Sequence, residues 1–235
     1  EAIIVVHQFG HAADMDSIME IANKYNLYVI EDSAQALGSS YKGQKIGTIG
    51  DIGCFSFSWK KSITTGKGGL VVTDNDRFFQ RLKTLSDYGR RGRHEFIRKG
   101  YNYRLDNIRA GIGLVQFEKL EETIQKRKSV FNYYSKKLGE LDLKKMSLSE
   151  GEIPYTFYIL ENEREKLIKY LEDKGISTWK FYPPLHSLEV FQRDENYGVT
   201  EEMSRKGLSI PFYPTIEREE IDYVVENIKN YHDTR

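Results

Sequence analysis

The sequence predicts an α/β protein in which a mostly parallel sheet with helices is followed by a small α+β domain. The first observation is AIIVV at residues 2–6, a continuous run rich in β-branched residues that is typical of a buried parallel strand. The second is the helical spacing of apolar residues across 15–22, and the third is another apolar run at 27–30. Strand, short helix and strand form a βαβ unit, whose two strands are parallel.

The remaining elements of the predicted large domain follow in order. Asp14 or Asp16 could cap the first helix, because a side-chain oxygen just before a helix accepts bonds from its free N–H groups. An interruption near Gly111 and Gly113 is predicted in the last of these elements, a long helix. The predicted bounds are a loop at 38–50, strands at 54–58 and 69–73, a helix at 78–88, a basic loop at 89–104 and the long helix at 106–138.

The C-terminal part of the chain predicts a second, smaller unit. We therefore predict two domains, 1–138 with the long helix and 139–235. Because the first strand has almost no residues before it, we expect the chain to begin partway into a domain. The elements of the smaller domain are a strand at 155–160, a helix at 164–174, a strand at 176–180, a strand at 208–210 and a helix at 218–231.

The composition argues against several kinds of partner. Lysine plus arginine number 35, as do aspartate plus glutamate, so the formal net charge is zero and gives no electrostatic reason to expect nucleic acid or an anionic membrane. No apolar run is long enough to span a bilayer. The single cysteine, Cys54, rules out an internal disulfide and suits a reducing cytoplasm; its position in a strand predicts a small core residue.

The end of the second strand, Glu31-Asp32, is the first candidate binding position. Ligands of open α/β sheets bind at the carboxyl ends of strands, where a buried carboxylate is costly unless it is paired. Asp32 could hold a cationic ring nitrogen or a metal, or it could simply cap a helix over 33–37. Gln35 would point the same way as Asp32 if Ser33 starts a helical turn.

The stretch WKKSITTGKGG at 59–69 is the second candidate position. A nucleotide P-loop is excluded, because its GK pair is followed by glycine rather than Ser or Thr and a lysine replaces the motif's first glycine. Two interpretations remain: a basic surface loop, or a confined lysine that forms a Schiff base. Lys60 and Lys61 would then diverge, one inward and one outward. Ser56, five residues before Lys61, could hold a phosphate.

Ordered motifs give the chain a family resemblance. The motifs are EDSAQALGS, GDIGCFSF, a lysine before TTGKGG, and GYNYR. In this order they resemble the motifs of the nucleotide-sugar aminotransferases of the DegT/DnrJ/StrS family, which are fold type I enzymes dependent on pyridoxal 5'-phosphate. The segments GIGLVQFEKLEETIQKR, YPPLHSLEVF and LSIPFYPTI extend the similarity over essentially the whole chain.

The resemblance implies roles for five residues. Asp32 matches the aspartate that pairs with the pyridine nitrogen, and Gln35 matches the residue near the 3-hydroxyl group. Ser56 matches a phosphate ligand, and Lys61 matches the Schiff-base lysine. Asn102 matches the asparagine that reaches the cofactor phosphate of a neighbouring subunit. Each residue also has a plain structural explanation, and it is their joint order that favours a site.

The resemblance also implies an activity and a partner. An amino group would pass from an amino acid, with L-glutamate the expected donor, to a keto sugar on a nucleotide, for amino-sugar and surface-polysaccharide or glycan biosynthesis. A homodimer with shared active sites is implied. Relatives with histidine at the lysine position act as sugar dehydratases, and Lys61 argues against that branch.

Some features depart from the family pattern. The run Ser58-Trp59-Lys60 and the residue Lys67, where glutamate is usual, would alter the wall of the site without removing the chemistry. The family's segment before the first strand, with its phosphate-binding helix N-terminus, is not in this sequence. The alternative expectation is therefore a truncated chain, or a partner chain complemented by another polypeptide, without activity alone.

Three further features are weaker candidates. His186 resembles a family position at the rim of the site, although a packed loop histidine is the favoured interpretation. His7 and His11 are too isolated to predict a metal site. The basic loop at 90–99 could contact a nucleotide diphosphate, or it could be a solvated or dimer-contact loop.

Overall fold

The computed structural model describes residues 1–191, 193 and 195–233, and these form two compact units. The first unit contains Glu1–Ile124 and Leu148–Tyr155, and the second contains Gln125–Ser147 and the described residues from Thr156 onward. The predicted domains at 1–138 and 139–235 have different bounds from these units, and that division stays a prediction.

The first unit is built on a mixed, mostly parallel sheet, as predicted. Its elements are β1 (Ala2–Val6), α1 (Met15–Tyr25), β2 (Tyr28–Asp32), β3 (Ser40–Tyr41), β4 (Gln44–Lys45), β5 (Ile52–Ser56), β6 (Gly69–Val72), α2 (Asp76–Ser86), β7 (Arg90–Gly92), β8 (Glu95–Phe96), α3 (Asn107–Glu118) and the start of α4 (Leu120–Lys137). The main sheet has the order β1-β2-β5-β6, in which β1, β2 and β5 are parallel and β6 is antiparallel.

The predicted βαβ unit is confirmed in β1, α1 and β2. Asp14 rather than Asp16 caps α1, because the Asp14 side chain accepts a hydrogen bond from the Ser17 backbone N–H at 3.3 Å. The helix ends at Tyr25 and is followed by Asn26, whose φ of 52° is the left-handed conformation common after a helix. The apolar side of α1 covers one sheet face, in a buried cluster of Val5, Met15, Ala22 and Val29.

The predicted long helix is two helices. The chain breaks at Lys119, where φ is −94° and ψ is 3°, and the Lys119 N–H bonds to the Gln116 carbonyl oxygen at 3.2 Å. The predicted interruption near Gly111 and Gly113 was wrong: both lie inside α3, where glycine lowers helix stability without ending the helix. The predicted loops after β2 and α2 also contain the short hairpins β3–β4 and β7–β8.

The second unit is a small α+β structure around an antiparallel sheet of order β11-β12-β10-β9. Helix α6 was not predicted, and none of its residues is fully buried. Among the described residues, no helix combines the length and the apolar character needed to cross a membrane. The elements are β9 (Lys144–Lys145), β10 (Phe157–Leu160), α5 (Arg164–Asp173), β11 (Trp179–Lys180), α6 (Gly198–Lys206), β12 (Gly207–Ile210) and α7 (Arg218–Asp233).

Candidate active site

The carboxyl ends of the three parallel strands meet at one edge of the main sheet, which is where open α/β sheets bind their ligands. Asp32 ends β2 and Ser56 ends β5. The register pairs Asp32 with Cys54, and residues two apart on a strand share a face. Asp32, Cys54 and Ser56 therefore lie on the same face of the sheet, at its ligand-binding edge.

Asp32 is partly buried and one of its carboxylate oxygens is engaged locally. Oδ1 accepts a hydrogen bond from the Ala34 N–H at 3.1 Å, within a turn rather than a helix. Cys54, predicted as a core residue, is only partly buried, because it faces this open edge. Burial and the negative charge of Asp32, its neighbour across the two paired strands, both raise the pKa of the Cys54 thiol.

Lys61 lies within electrostatic reach of Asp32. A tight turn positions it: the Lys61 N–H donates to the Ser58 carbonyl oxygen at 3.0 Å. Burial lowers the pKa of the Lys61 amine, and the nearby Asp32 charge partly opposes that effect. The structure therefore brings together the aspartate and the lysine that the motifs single out, although 28 residues of sequence separate them.

Lys60 points away from this pair, as the predicted divergence of the two lysines requires. Its Nζ lies 4.6 Å from the centre of the Trp59 ring, and the Trp59 side chain is 72% exposed. Lys60 itself is exposed, whereas Lys61 is partly buried. Adjacent residues thus provide one exposed lysine and one confined amine.

Gln35 and Ser56 each make one hydrogen bond that leaves a donor for a ligand. The Gln35 amide oxygen accepts from the Phe9 N–H at 2.9 Å, so the amide NH₂ group is the end that can donate outward. The Ser56 Oγ accepts from the Ser58 N–H at 3.3 Å, and its hydroxyl hydrogen can donate. Phe9 follows β1, so the Gln35 bond ties the exits of two neighbouring strands.

Asn102 lies in an exposed loop next to the end of α2. It forms an isolated bridge with Asp87, whose carboxylate pairs with Arg90 (2.9 Å) and Arg104 (3.2 Å). Among the described residues, no hydrogen bond or ion pair joins Asn102 to Lys61. The structure therefore does not bring Asn102 to this chain's own lysine, and its predicted role toward a neighbouring subunit stays a prediction.

Tyr155 was missed by sequence analysis as a site residue. Its ring centre lies 4.9 Å from the Lys61 Nζ, within the range of a cation–π contact. The sequence predicts only the start of a strand here, and the two residues are far apart in the chain. No local pattern signals the contact, because it arises only when residues 148–155 return to the first unit.

Glu31, beside Asp32, holds the loops behind the site together. It is fully buried, accepts from the N–H groups of Gly47, Ile49 and Gly50, each at 2.7 Å, and lies 3.0 Å from the His7 Nε2. Burial raises the pKa of the Glu31 carboxyl, but the His7 bond and the three backbone bonds outweigh burial and lower the pKa overall.

The other candidate histidines have partners of their own. In the second unit, the His186 Nε2 lies 3.1 Å from a Glu201 carboxylate oxygen, and its ring packs against Tyr197 at 4.9 Å. In the first unit, the His11 Nδ1 lies 3.0 Å from a Glu152 oxygen. Within the part of the chain that the structure describes, no group of three or more His, Cys, Asp or Glu side chains could hold a metal ion.

The sheet topology and the placement of Asp32 and Lys61 define an α/β protein of fold type I. The chain belongs to the DegT/DnrJ/EryC1/StrS aminotransferase family, whose model matches residues 1–229. The resemblance seen in the ordered motifs is therefore confirmed at the level of the family.

Individual relatives cover nearly all of the chain. The GDP-perosamine synthase of Escherichia coli O157:H7 is 35% identical over 243 residues, which is 99% of this chain and 66% of the relative. The dTDP-3-amino-3,6-dideoxy-alpha-D-galactopyranose transaminase of Aneurinibacillus thermoaerophilus is 34% identical, with coverage of 98% and 65%. The chain also matches the crystal structure of S. venezuelae DesV in complex with a ketimine intermediate, with a TM-score of 0.91 and 30% sequence identity. The match covers 98% of this chain and 65% of that one. The chain thus spans about two thirds of the length of these proteins.

Proposed function

We propose that the protein is a pyridoxal phosphate-dependent aminotransferase acting on a nucleotide-linked keto sugar, with L-glutamate as the expected amino donor. The observation that carries the proposal is that Asp32 ends β2 at the ligand-binding edge of the sheet and that its charge reaches the partly buried amine of Lys61. The relatives' names support the substrate class, since one is a GDP-perosamine synthase and another a dTDP-amino-sugar transaminase. The product would serve amino-sugar and surface-polysaccharide or glycan biosynthesis.

The residues at the site fit the cofactor chemically. A carboxylate suits a protonated pyridine nitrogen, a neutral amine suits an aldehyde, and a hydroxyl donor suits a phosphate. Asp32, Lys61 and Ser56 supply these three groups. When bound, pyridoxal phosphate supplies an electron-withdrawing ring that stabilises the negative charge developing on the α-carbon of the amino donor.

The chain's own side chains would divide the remaining work. The lowered pKa of Lys61 keeps a larger fraction of its amine neutral, and hence nucleophilic, than for an exposed lysine at the same pH. The free Lys61 amine can then accept the proton from the donor's α-carbon. Asp32 would hold the proton on the ring nitrogen, Ser56 would bind the phosphate and the Gln35 NH₂ group would donate to the 3-hydroxyl oxygen.

We also propose a homodimer with shared active sites, in which Asn102 reaches the phosphate bound by the neighbouring subunit. The exposure of Asn102 supports this proposal, because the side chain is available to another chain. The proposed ligands are a nucleotide sugar and an amino acid, and the balanced charge gives no reason to add nucleic acid or a membrane. A cytoplasmic location is proposed, which suits the free thiol of Cys54.

A transamination assay tests the proposed function. With pyridoxal phosphate, L-glutamate and a keto sugar linked to GDP or dTDP, the purified protein should form 2-oxoglutarate and an amino sugar. The substitution Lys61→Ala should lower the rate at least ~10²-fold, because it removes both the covalent anchor and the proton acceptor. Lys60→Ala is the matched control and should retain activity. Wild-type protein that binds the cofactor but forms no 2-oxoglutarate from either sugar class would contradict the proposal.

A further inference from the structure

The aromatic ring of Tyr155 and the amine of Lys61 form a contact that the proposed transamination does not by itself require. The Lys61 Nζ lies 4.9 Å from the ring centre. A lysine has four flexible side-chain bonds, so an amine beside an open edge would otherwise swing into solvent. The Asp32 carboxylate, at the end of β2, is the charged group whose field reaches this amine, and the uncharged Tyr155 ring lies beside it.

Tyr155 is held in place by its own segment, residues Leu148–Tyr155, which we call the return segment. The Tyr155 N–H donates to the Phe9 carbonyl oxygen at 3.0 Å, next to the Phe9 N–H that binds Gln35. The Ile153 N–H donates to the Ser39 Oγ at 2.9 Å. These bonds fix the backbone that presents the tyrosine ring, so the ring does not depend on the lysine for its position.

The return segment also packs closely against the chain that follows β1, at Gly10 and Ala12. Gly10 has φ of 97°, and a Cβ added there would lie 1.9 Å from the Ile153 carbonyl oxygen. Further along, the Glu152 carboxylate accepts from the Ala12 N–H at 2.9 Å. The Tyr155 ring that contacts Lys61 therefore belongs to a segment that is held firmly in place and forms one wall of the site.

We infer that Tyr155 is a positioning residue, whose ring face holds the charged amine of Lys61 inside the site whenever that amine is not covalently engaged. The inference deepens the proposed function and rests on it for its meaning in catalysis. The contact itself does not depend on the cofactor: an ammonium group is attracted to the negative face of an aromatic ring, and the attraction grows where water is partly excluded. The Tyr155 ring therefore favours the protonated form of the Lys61 amine, as the negative charge of Asp32 does.

The test measures the pKa of the Lys61 amine without cofactor. Trace acetic anhydride is applied over a range of pH, and mass spectrometry of fragments quantifies acetylation at Lys61 and, as an internal control, at Lys60. In Tyr155→Leu the apparent pKa of Lys61 should fall by roughly 0.5 to 1, because the ring no longer favours the charged form. In Tyr155→Phe, which keeps the ring, the pKa of Lys61 should stay at the wild-type value.

A Lys61 pKa that is unchanged in Tyr155→Leu, or that falls equally in Tyr155→Phe, would overturn the inference. If Tyr155→Leu does not fold, phenylalanines with one to five ring fluorines at position 155 replace it. Fluorine weakens the ring's negative face at nearly constant size, so the Lys61 pKa should fall stepwise, and a flat series would overturn the inference. Because no cofactor is present, failure here is distinct from failure of the proposed transamination.

Discussion

Glu31 and Asp32 are neighbours in the chain, but their carboxylates face opposite sides of the sheet. Alternation along β2 buries Glu31 against the loop at 47–50 and turns Asp32 toward Lys61. The buried Glu31 carboxylate accepts hydrogen bonds at both of its oxygens. It therefore stabilises the backbone that positions the partly exposed Asp32 carboxylate. The first has a structural role, and the second is the proposed ligand of the cofactor.

Replacing Glu31 should therefore cost stability. In wild type, both carboxylate oxygens of Glu31 accept hydrogen bonds from backbone N–H groups. In Glu31→Gln an NH₂ group replaces one of these oxygens, so at least one buried N–H group loses its acceptor. We expect a loss of roughly 2–3 kcal/mol in the free energy of unfolding, measured by chemical denaturation. Glu20→Gln, at an exposed position of α1, is the control and should have little effect. Equal stability of the two variants would contradict the buried role of Glu31.

The lowered pKa of Glu31 also predicts a pH dependence of stability. Because the folded-state pKa lies below the ordinary value of 4.5, the contribution of Glu31 is complete above about pH 4.5 and is lost as the pH falls through the folded-state pKa. Between pH 5 and the acid limit of folding, wild-type protein should lose more stability than Glu31→Gln. If the free energies of unfolding of wild type and Glu31→Gln, measured by chemical denaturation, fall equally with pH, Glu31 is not the group responsible.

Motifs could predict the site only where it is local in sequence. Asp32 and Ser56 end strands, and Lys61 follows one of those strands by a short loop. Strand patterns therefore marked these positions, and the family resemblance was needed to single them out as site residues. The depth of Lys61 and the approach of Tyr155 depend on a segment that returns from far along the chain. No local periodicity encodes such a contact, so sequence analysis could not find it.

At the level of elements, α3 is continuous through its two glycines. Replacing Gly111 by alanine should stabilise the protein by roughly 0.5–1 kcal/mol, because alanine loses less backbone entropy in a helix and a new Cβ there meets no other atom within 4 Å. Thermal or chemical denaturation measures the change. A loss of stability would mean that the helix is broken at Gly111 after all.

Gly113 is the matched comparison in the same helix. A Cβ at Gly113 would lie 3.1 Å from the Thr65 Cγ2, in the loop that follows Lys61. The helix gain would then be offset by the displacement of Thr65, so Gly113→Ala should stabilise less than Gly111→Ala. Equal gains would show that the loop does not pack on α3 as described.

Elements were predicted best where the apolar pattern is continuous or periodic and bounded by turn residues. Both strands of the βαβ unit and the helix between them are of this kind. The predicted burial of β1 was wrong in part, because Val5 is buried but Ile4 (69%) and Val6 (49%) are exposed. The hairpins β3–β4 and β7–β8 have only two or three residues per strand, which is too short for an alternating pattern. The break at Lys119 is a tight backbone turn without a proline or glycine, so the sequence carries no signal for it.

At the scale of the whole molecule, the proposed dimer predicts complementation between two inactive variants. Lys61→Ala removes the amine from one chain, and Asn102→Asp places a negative charge where we propose that Asn102 meets the neighbouring subunit's phosphate. Random mixing of subunits should restore about one quarter of the sites, because one site of each mixed dimer receives both native residues. Activity that stays at the level of the separate variants after exchange would rule out shared sites.

The central claim is that Lys61, and not its neighbour Lys60, is the covalent lysine. The most direct measurement treats the protein with pyridoxal phosphate, reduces it with borohydride and maps the added mass by fragmentation. The burial of Lys61 and its nearness to Asp32 predict a single adduct on Lys61, kept in Lys60→Ala and lost in Lys61→Ala. An adduct on Lys60, or none at saturating pyridoxal phosphate, would contradict it.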